Sequence, residues 1–198
     1  MLSYLLSCTI RVKSTVLRLI KITQKESISM DQSKRSVIGI VFSENRDQIL
    51  LIKRRDVPVW ALPGGGIDPL ETPEEAVIRE IQEETGIVAR IVRHAALYTP
   101  INALAYPTFV FECAPVSGVL SKSDETQGVA YFFLDKLPQT FFFIHREWVE
   151  EALKETSGTI HKPLSQITYW NLLKYFVRHP VQTFRLALAR CGIPYNDR

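Results

Sequence analysis

Cysteine is scarce in this 198-residue chain, and the three present, Cys8, Cys113 and Cys191, are odd in number and far apart. Such spacing builds neither a zinc cluster nor a disulfide framework; it suits free thiols in a reducing, cytoplasmic setting. No uncharged apolar run reaches the roughly 18–20 residues that a membrane span needs. Bulk charge of one sign is missing too, for the net charge is only +3. Residues 1–35 hold seven Lys or Arg against Glu26 and Asp31, or +5, so the remainder sums to −2. A mildly acidic body offers no broad footprint for specific nucleic acid binding, although it suits a site that recruits divalent cations ahead of a phosphorylated ligand. Internal repeats and low-complexity tracts are absent. What remains is a chain of 46% hydrophobic residues, enough for one globular domain with extensions.

The first 30 residues do not read as a secretory leader, because MLSYLLSCTI comes first and Arg11, Lys13, Arg18 and Lys21 follow it. Arg11, Ser14, Arg18, Lys21 and Lys25 recur at steps of three and four, opposite Leu5, Val12, Val16, Leu19 and Ile20. That pattern describes a basic amphipathic helix. It is compatible with docking on the chain's own domain, with weak contact of residues 1–25 to a membrane surface, or with a poorly ordered leader ahead of a start at Met30.

From Ser36 the pattern sharpens. SVIGIVFS and ILLIKRR are β-branched and aliphatic runs separated by the turn-rich ENRDQ, which predicts a hairpin. IVARIVRHAALYT, AYPTFVFECAPV and GVAYFFLDKL predict three further strands. Between the two groups, Thr72 as N-cap, Pro73 at the first helical position, Glu74 and Glu75 in the first turn and Gly86 as C-cap predict a helix. Later helices are expected around Arg146–Thr156 and from roughly Leu164 to Arg178. Strands around one acidic helix, with helices after them, imply an α+β sandwich.

The acidic helix carries the chemistry. Residues Gly64–Gly66 open a segment that holds Asp68, Glu71, Glu74, Glu75, Glu80, Glu83 and Glu84. Residues three and four apart share a helix face, so Glu80, Glu83 and Glu84 project together while Val77 and Ile81 turn to a core. Adjacent like charges repel, and Arg79 can reach Glu75 or Glu83 but cannot satisfy every carboxylate. A hard divalent cation such as Mg²⁺ or Mn²⁺ can, since it takes oxygen ligands and is shared with substrate phosphates. Glycines let bare backbone approach metal or phosphate closely.

This segment resembles the signature box of Nudix hydrolases at every defining position. Gly65 is followed after five residues by Glu71, after seven more by Arg79-Glu80-Ile81, then by Glu83-Glu84 and Gly86-Ile87. The resemblance implies a Nudix-type α/β/α sandwich around a mixed β-sheet, with N- and C-terminal helical extensions. The domains expected are a basic extension over 1–34, a Nudix hydrolase domain over 35–157 and a helical extension over 158–198. It also implies hydrolysis of a nucleoside diphosphate linked to a moiety X. Glu80, Glu83 and Glu84 would ligate the metals with the Gly64 carbonyl, and Glu71 and Arg79 would orient those carboxylates. The general base would come from the box or from a downstream loop, where Glu125 stands beside Asp124. The alternative is a Nudix-fold nucleotide sensor without significant turnover.

Substrate residues lie outside the box. Arg54 and Arg55 close the second strand and are candidates for phosphate contact. Trp60, ahead of the glycines, is a candidate for stacking on a base, although an aromatic there also suits the core. Tyr98, Pro100 and Tyr106 fall near subfamily marker positions for ADP-ribose and dinucleoside polyphosphates without matching them, and coenzyme A and NADH motifs are absent. Phe141, Phe142, Phe143 and Trp148, with His145, are expected to form a hydrophobic contact between sheet and helix. The partner expected is a nucleoside diphosphate-type small molecule, with a homodimer as a further option.

Overall fold

The computed structural model describes residues 34–56, 59–154 and 157–168. Eight strands and two α-helices follow in the order β1 (Ser36–Val41), β2 (Gln48–Arg54), β3 (Trp60–Ala61), β4 (Gly64–Gly66), α1 (Pro73–Thr85), β5 (Ile87–Pro100), β6 (Thr108–Gly118), β7 (Thr126–Phe133), α2 (Phe143–Lys154) and β8 (Ile160–Leu164). A five-stranded mixed sheet has the order β4-β1-β6-β5-β8, and a three-stranded antiparallel sheet has the order β3-β2-β7. In the larger sheet β1 runs parallel to β6 and β5 parallel to β8. The mixed α+β architecture expected of the sequence is present.

β1 lies inside the larger sheet and is covered on both faces, which is why SVIGIV is apolar throughout instead of alternating. Val37 and Val41 join Ala76, Val77 and Ile81 of α1, together with Phe111 and Cys113. Ile38, Ile40 and Phe42 point the other way, into a cluster with Tyr98, Phe141, Ile144, Trp148 and Val149. At Gly39, between the two valines, an added Cβ would stand 2.6 Å from Cδ1 of Ile81. The missing side chain lets α1 seat closely. Val77 and Ile81 are both fully buried, and such burial contributes about 1.5–3 kcal/mol for each aliphatic side chain.

The ends of α1 are set locally. The Glu75 amide donates to Thr72 Oγ1 at 3.2 Å, and the Thr72 amide donates to Glu75 Oε2 at 2.9 Å, a reciprocal capping box. Gly86 closes the helix at φ 74°, its N–H donating to the Gln82 carbonyl at 2.8 Å.

Two local expectations are corrected. β1 and β2 are joined by a tight turn, with the Ser43 amide donating to the Gln48 carbonyl at 3.0 Å, but beyond the bridge Phe42–Ile49 they part into different sheets. Each has better-matched partners elsewhere, so no hairpin ladder forms. Residues 160–164, within the stretch expected to form a C-terminal helical extension, instead make strand β8 against β5. The basic helix expected over the first 30 residues, and the helix expected toward Arg178 beyond residue 168, lie outside the described residues. Among the described residues no helix is long and apolar enough to cross a membrane.

The late aromatic cluster is a contact between sheet and helix, as expected. Trp148 stacks on Tyr98 at 4.8 Å and on His145 at 5.0 Å. Arg93 ties the end of α2 to the larger sheet, donating from Nη2 to the Ala152 carbonyl at 2.8 Å and from Nε to Glu112 at 2.9 Å. Cys113 is a buried free thiol, pushed by burial up to about 12.

Candidate active site

The glycines fold as a short strand, β4, paired antiparallel with β1 through Gly66–Ser36, Gly65–Val37 and Gly64–Ile38. At Gly64, φ is 154° and an added Cβ would lie 2.2 Å from the Val37 carbonyl oxygen, so only glycine fits. At Gly65 the same construction meets the carboxylate of Glu80, at 2.4–2.7 Å. Glycine therefore leaves open the space in which that carboxylate sits.

Glu84, near the end of α1, is 5% exposed, and its Oε2 accepts the Gly64 amide at 2.8 Å. Its proton affinity is pushed up to about 7, chiefly by burial, with Glu80 and Glu125 adding negative charge while Gly64 and Arg54 oppose the shift. Burial likewise raises Glu80 above the usual carboxylate range, against the pull of Arg79. Two carboxylates thus press against a glycine strand, and the guanidinium that meets Glu80 is shared with Glu71 and Glu83.

Arg79 organises the outer side. Its Nε and Nη2 donate to the two oxygens of Glu71 at 2.9 Å each, and Nη1 donates to Glu80 at 2.9 Å and Glu83 at 3.0 Å. Nη2 also reaches the Gly66 carbonyl at 3.2 Å. The Arg79 contact holds the Glu71 carboxyl below its ordinary range, and Glu71 Oε2 further accepts the Asp68 amide at 3.1 Å. Among the residues expected as metal ligands, Glu80 and Glu84 flank β4, whereas Glu83 is 59% exposed and held by Arg79. Among the described residues no three His, Cys, Asp or Glu side chains form a ready-made metal cage.

The donor set nevertheless fits a hard divalent cation. It is all oxygen, and it includes two charge-crowded carboxylates, Glu80 in the cradle left by Gly65 and Glu84 already oriented by the Gly64 amide.

The remaining candidates sit around this centre. Glu125, exposed on the turn into β7, accepts the Arg55 amide through its backbone carbonyl at 3.0 Å, and its charge is felt at Glu80, Glu84 and Arg54. Arg54 is paired side-on with Asp56, Nε to Oδ1 at 2.9 Å and Nη2 to Oδ2 at 2.8 Å, while also sensing Glu84. Trp60 is half-buried, edge-on to Phe132 at 4.7 Å and against Gly128, so its ring packs the smaller sheet. Tyr98 is buried far from such a role, donating to Glu151 Oε2 at 2.6 Å. Sequence reasoning missed the contact of His145 with the chain ahead of the glycines; its Nδ1 accepts the Leu62 amide at 3.1 Å, two residues ahead of Gly64. No local signal marks it, since the contact spans 83 residues.

A mixed sheet that grips an acid-faced helix through a glycine strand defines a Nudix-type hydrolase scaffold. The chain belongs to this family, for the model described as NUDIX domain matches residues 33–152. It is 42% identical over 105 residues to a protein named putative 8-oxo-dGTP diphosphatase from Bacillus subtilis, covering 50% of this chain and 66% of that one. It is 32% identical over 131 residues to a protein named ADP-ribose pyrophosphatase from Methanocaldococcus jannaschii, covering 62% and 75%. The fold matches the crystal structure of a NUDIX hydrolase from Nitrosomonas europaea with a TM-score of 0.58 at 20% identity, over 67% of this chain and 78% of that one.

Proposed function

We propose that this chain is a divalent-metal-dependent pyrophosphohydrolase that cleaves the diphosphate linkage of a nucleotide, nucleotide sugar or dinucleotide. The observation that carries the proposal is the pair Glu80 and Glu84, charge-crowded and mostly buried against β4. Burying crowded carboxylates is costly unless enough positive charge joins them, and Arg79 divides its charge among Glu71, Glu80 and Glu83. In this reading Glu80, Glu83, Glu84 and the Gly64 carbonyl hold Mg²⁺ or Mn²⁺, with Glu83 turning in from Arg79. When bound, the metal neutralises phosphate oxygens and makes an attacking water more acidic.

The chain's own residues do the rest. Glu71, by occupying one edge of Arg79, leaves Nη1 to hold Glu80 and Glu83 in place. The Gly64 amide fixes which Glu84 oxygen faces the site. Arg54, presented by Asp56, and Arg55 meet the phosphates, and Trp60 offers a face to the base. Glu125, across the site on the turn before β7, takes the proton from the attacking water. The names of the relatives favour ADP-ribose and oxidised deoxynucleoside triphosphates as first substrates to try. The free thiol Cys113 suits the cytoplasm, where we place the protein.

The test is a substrate panel with Mg²⁺ and Mn²⁺, following release of monophosphate and phosphate. Turnover of at least one member that disappears with chelator supports the reading. Tight nucleotide binding by calorimetry, without turnover of any member, would establish the nucleotide sensor instead.

A further inference from the structure

The chain that leads into the catalytic glycines is held from outside the box, by residues that arrive about 80 positions later in the sequence. The Trp60 amide donates to the Thr140 carbonyl at 3.1 Å, and the Trp60 carbonyl accepts the Phe142 amide at 2.8 Å. This short parallel pairing continues for one more rung, but there the acceptor is a side chain. The Leu62 amide donates to Nδ1 of His145, on the first turn of α2. Pro63 has no N–H to offer, and its carbonyl accepts the Gly39 amide at 2.9 Å. Next comes Gly64, whose amide holds Glu84. His145 therefore ends a ladder whose next members are the backbone of β4 and a carboxylate of the site.

The imidazole is suited to this task. It is 8% exposed, stacked on Trp148 at 5.0 Å and edge-on to Phe142 at 5.0 Å, which fixes the ring plane. Burial and the neighbouring positive charge of Arg54 push its pKa down to about 3. The ring is neutral at working pH, so Nδ1 is an acceptor and the proton resides on Nε2. A buried backbone N–H requires such a partner.

We propose that His145 is a positioning residue for the metal site: by accepting the Leu62 amide it sets the height of the Leu62–Gly64 segment, and through it the Gly64 carbonyl and the orientation of Glu84. The proposal rests on the metallohydrolase reading above, and its test separates the two. Its closest prediction is that the acceptor, more than the ring, matters. Asparagine can place an oxygen near the position of Nδ1, whereas phenylalanine keeps the planar ring without an acceptor and glutamine carries its oxygen one bond too far.

The experiment compares His145→Phe, His145→Asn and His145→Gln with the parent by three readouts: amide hydrogen exchange at Leu62 and Gly64 without metal, Mn²⁺ affinity by electron paramagnetic resonance, and kcat and KM. Phe and Gln are expected to speed exchange at both amides by at least about tenfold. They should weaken Mn²⁺ binding and lower kcat by about 10–100-fold with KM within about twofold. Asn is expected to restore most of each loss. Val149→Ala serves as the control that loosens α2 while leaving the acceptor and the rings that hold it in place; it should lower thermal stability without moving Mn²⁺ affinity. Should Phe fail to fold, the Asn and Gln pair alone decides. Equal behaviour of Asn and Gln, or Mn²⁺ affinity that tracks thermal stability across all variants, overturns the proposal. If the parent binds no Mn²⁺ at all, the metallohydrolase reading fails, and exchange at Gly64 still judges His145: protection lost in Gln and kept in Asn supports it, and protection unchanged in both overturns it.

Discussion

Arg79 grips Glu71 side-on, with Nε and Nη2 each 2.9 Å from one oxygen of the same carboxylate, and the pair spans eight residues from the loop into the second turn of α1. The planar fork is what lets one side chain hold Glu71 with one edge and Glu80 and Glu83 with the other. Lysine carries the charge without the fork. Arg79→Lys is expected to lower kcat by about 10–100-fold while thermal unfolding shifts little, since the network is partly exposed. Steady-state kinetics alongside calorimetry checks this, and activity near that of the parent would show that charge alone suffices.

Glu83 is the most exposed of the three proposed ligands, and its carboxylate pairs with Arg79. Glu83→Gln should therefore abolish most turnover and leave the fold intact. Retention of normal rates at saturating Mg²⁺ would remove Glu83 from the ligand set.

The neighbouring glycines should fail in opposite ways. At Gly65 the backbone tolerates alanine, but the new methyl would take the place of the Glu80 carboxylate, a flexible group that moves aside. Gly65→Ala is expected to lose activity and metal affinity with little loss of stability. At Gly64 the methyl meets the Val37 backbone and φ is unfavourable, so Gly64→Ala should cost about 1–3 kcal/mol in chemical denaturation. Similar stability losses in both would contradict this division.

Glu84 makes the metal-free protein sensitive to pH. Its folded value of about 7 lies above the ordinary 4.5, so the folded state holds the proton more tightly than the unfolded chain. The sign follows: raising the pH from 4.5 through 7 removes stability, on the order of 3 kcal/mol, and the loss levels off above 7. His145 acts oppositely, adding stability as the pH rises from about 3 to 6.5, so the parent alone shows a composite curve. Denaturation in chelator from pH 4.5 to 8, comparing the parent with Glu84→Gln, isolates the first limb. Parallel curves for the two proteins would mean that Glu84 titrates normally.

Glu125 has a kinetic signature that distinguishes a base from a ligand. As the base, Glu125→Gln should lower kcat by roughly 10²–10⁴-fold, erase the acidic limb of the pH–rate profile and leave the Mg²⁺ requirement unchanged. A rise in the half-saturating Mg²⁺ concentration, with rescue by added metal, would make it a ligand. No change in either would return the role of base to Glu80, Glu83 or Glu84.

The parts of this architecture that were legible in the sequence are those fixed by near neighbours. Thr72, Glu75 and Pro73 start α1 and Gly86 ends it within a single turn of chain at each end, and the carboxylates share a face through helix geometry alone. What was not legible depends on distant pairing. The Gly64–Gly66 strand has no side-chain pattern to betray it and exists because β1 offers a ladder. β8 is recruited by β5, some 64 residues earlier, and its sequence IHKPL carries a proline that argues weakly for any strand. The supposed hairpin of β1 and β2 failed for the same reason, since each strand is apolar enough to be claimed by a different sheet.

The bracket of Thr140, Phe142 and His145 around Trp60 and Leu62 also orders events during synthesis. A nascent chain that has emerged only as far as β7 already carries every carboxylate of α1 and the glycines of β4, yet lacks the three acceptors and donors that seat the chain leading into them. Because translation delivers the N-terminal part first, the acidic helix and strands β1, β5 and β6 can assemble while this loop waits for α2 to leave the ribosome. Hydrolytic competence is thereby tied to near-completion of the domain, and a chain released before Thr140 would carry the signature box without a seated catalytic loop.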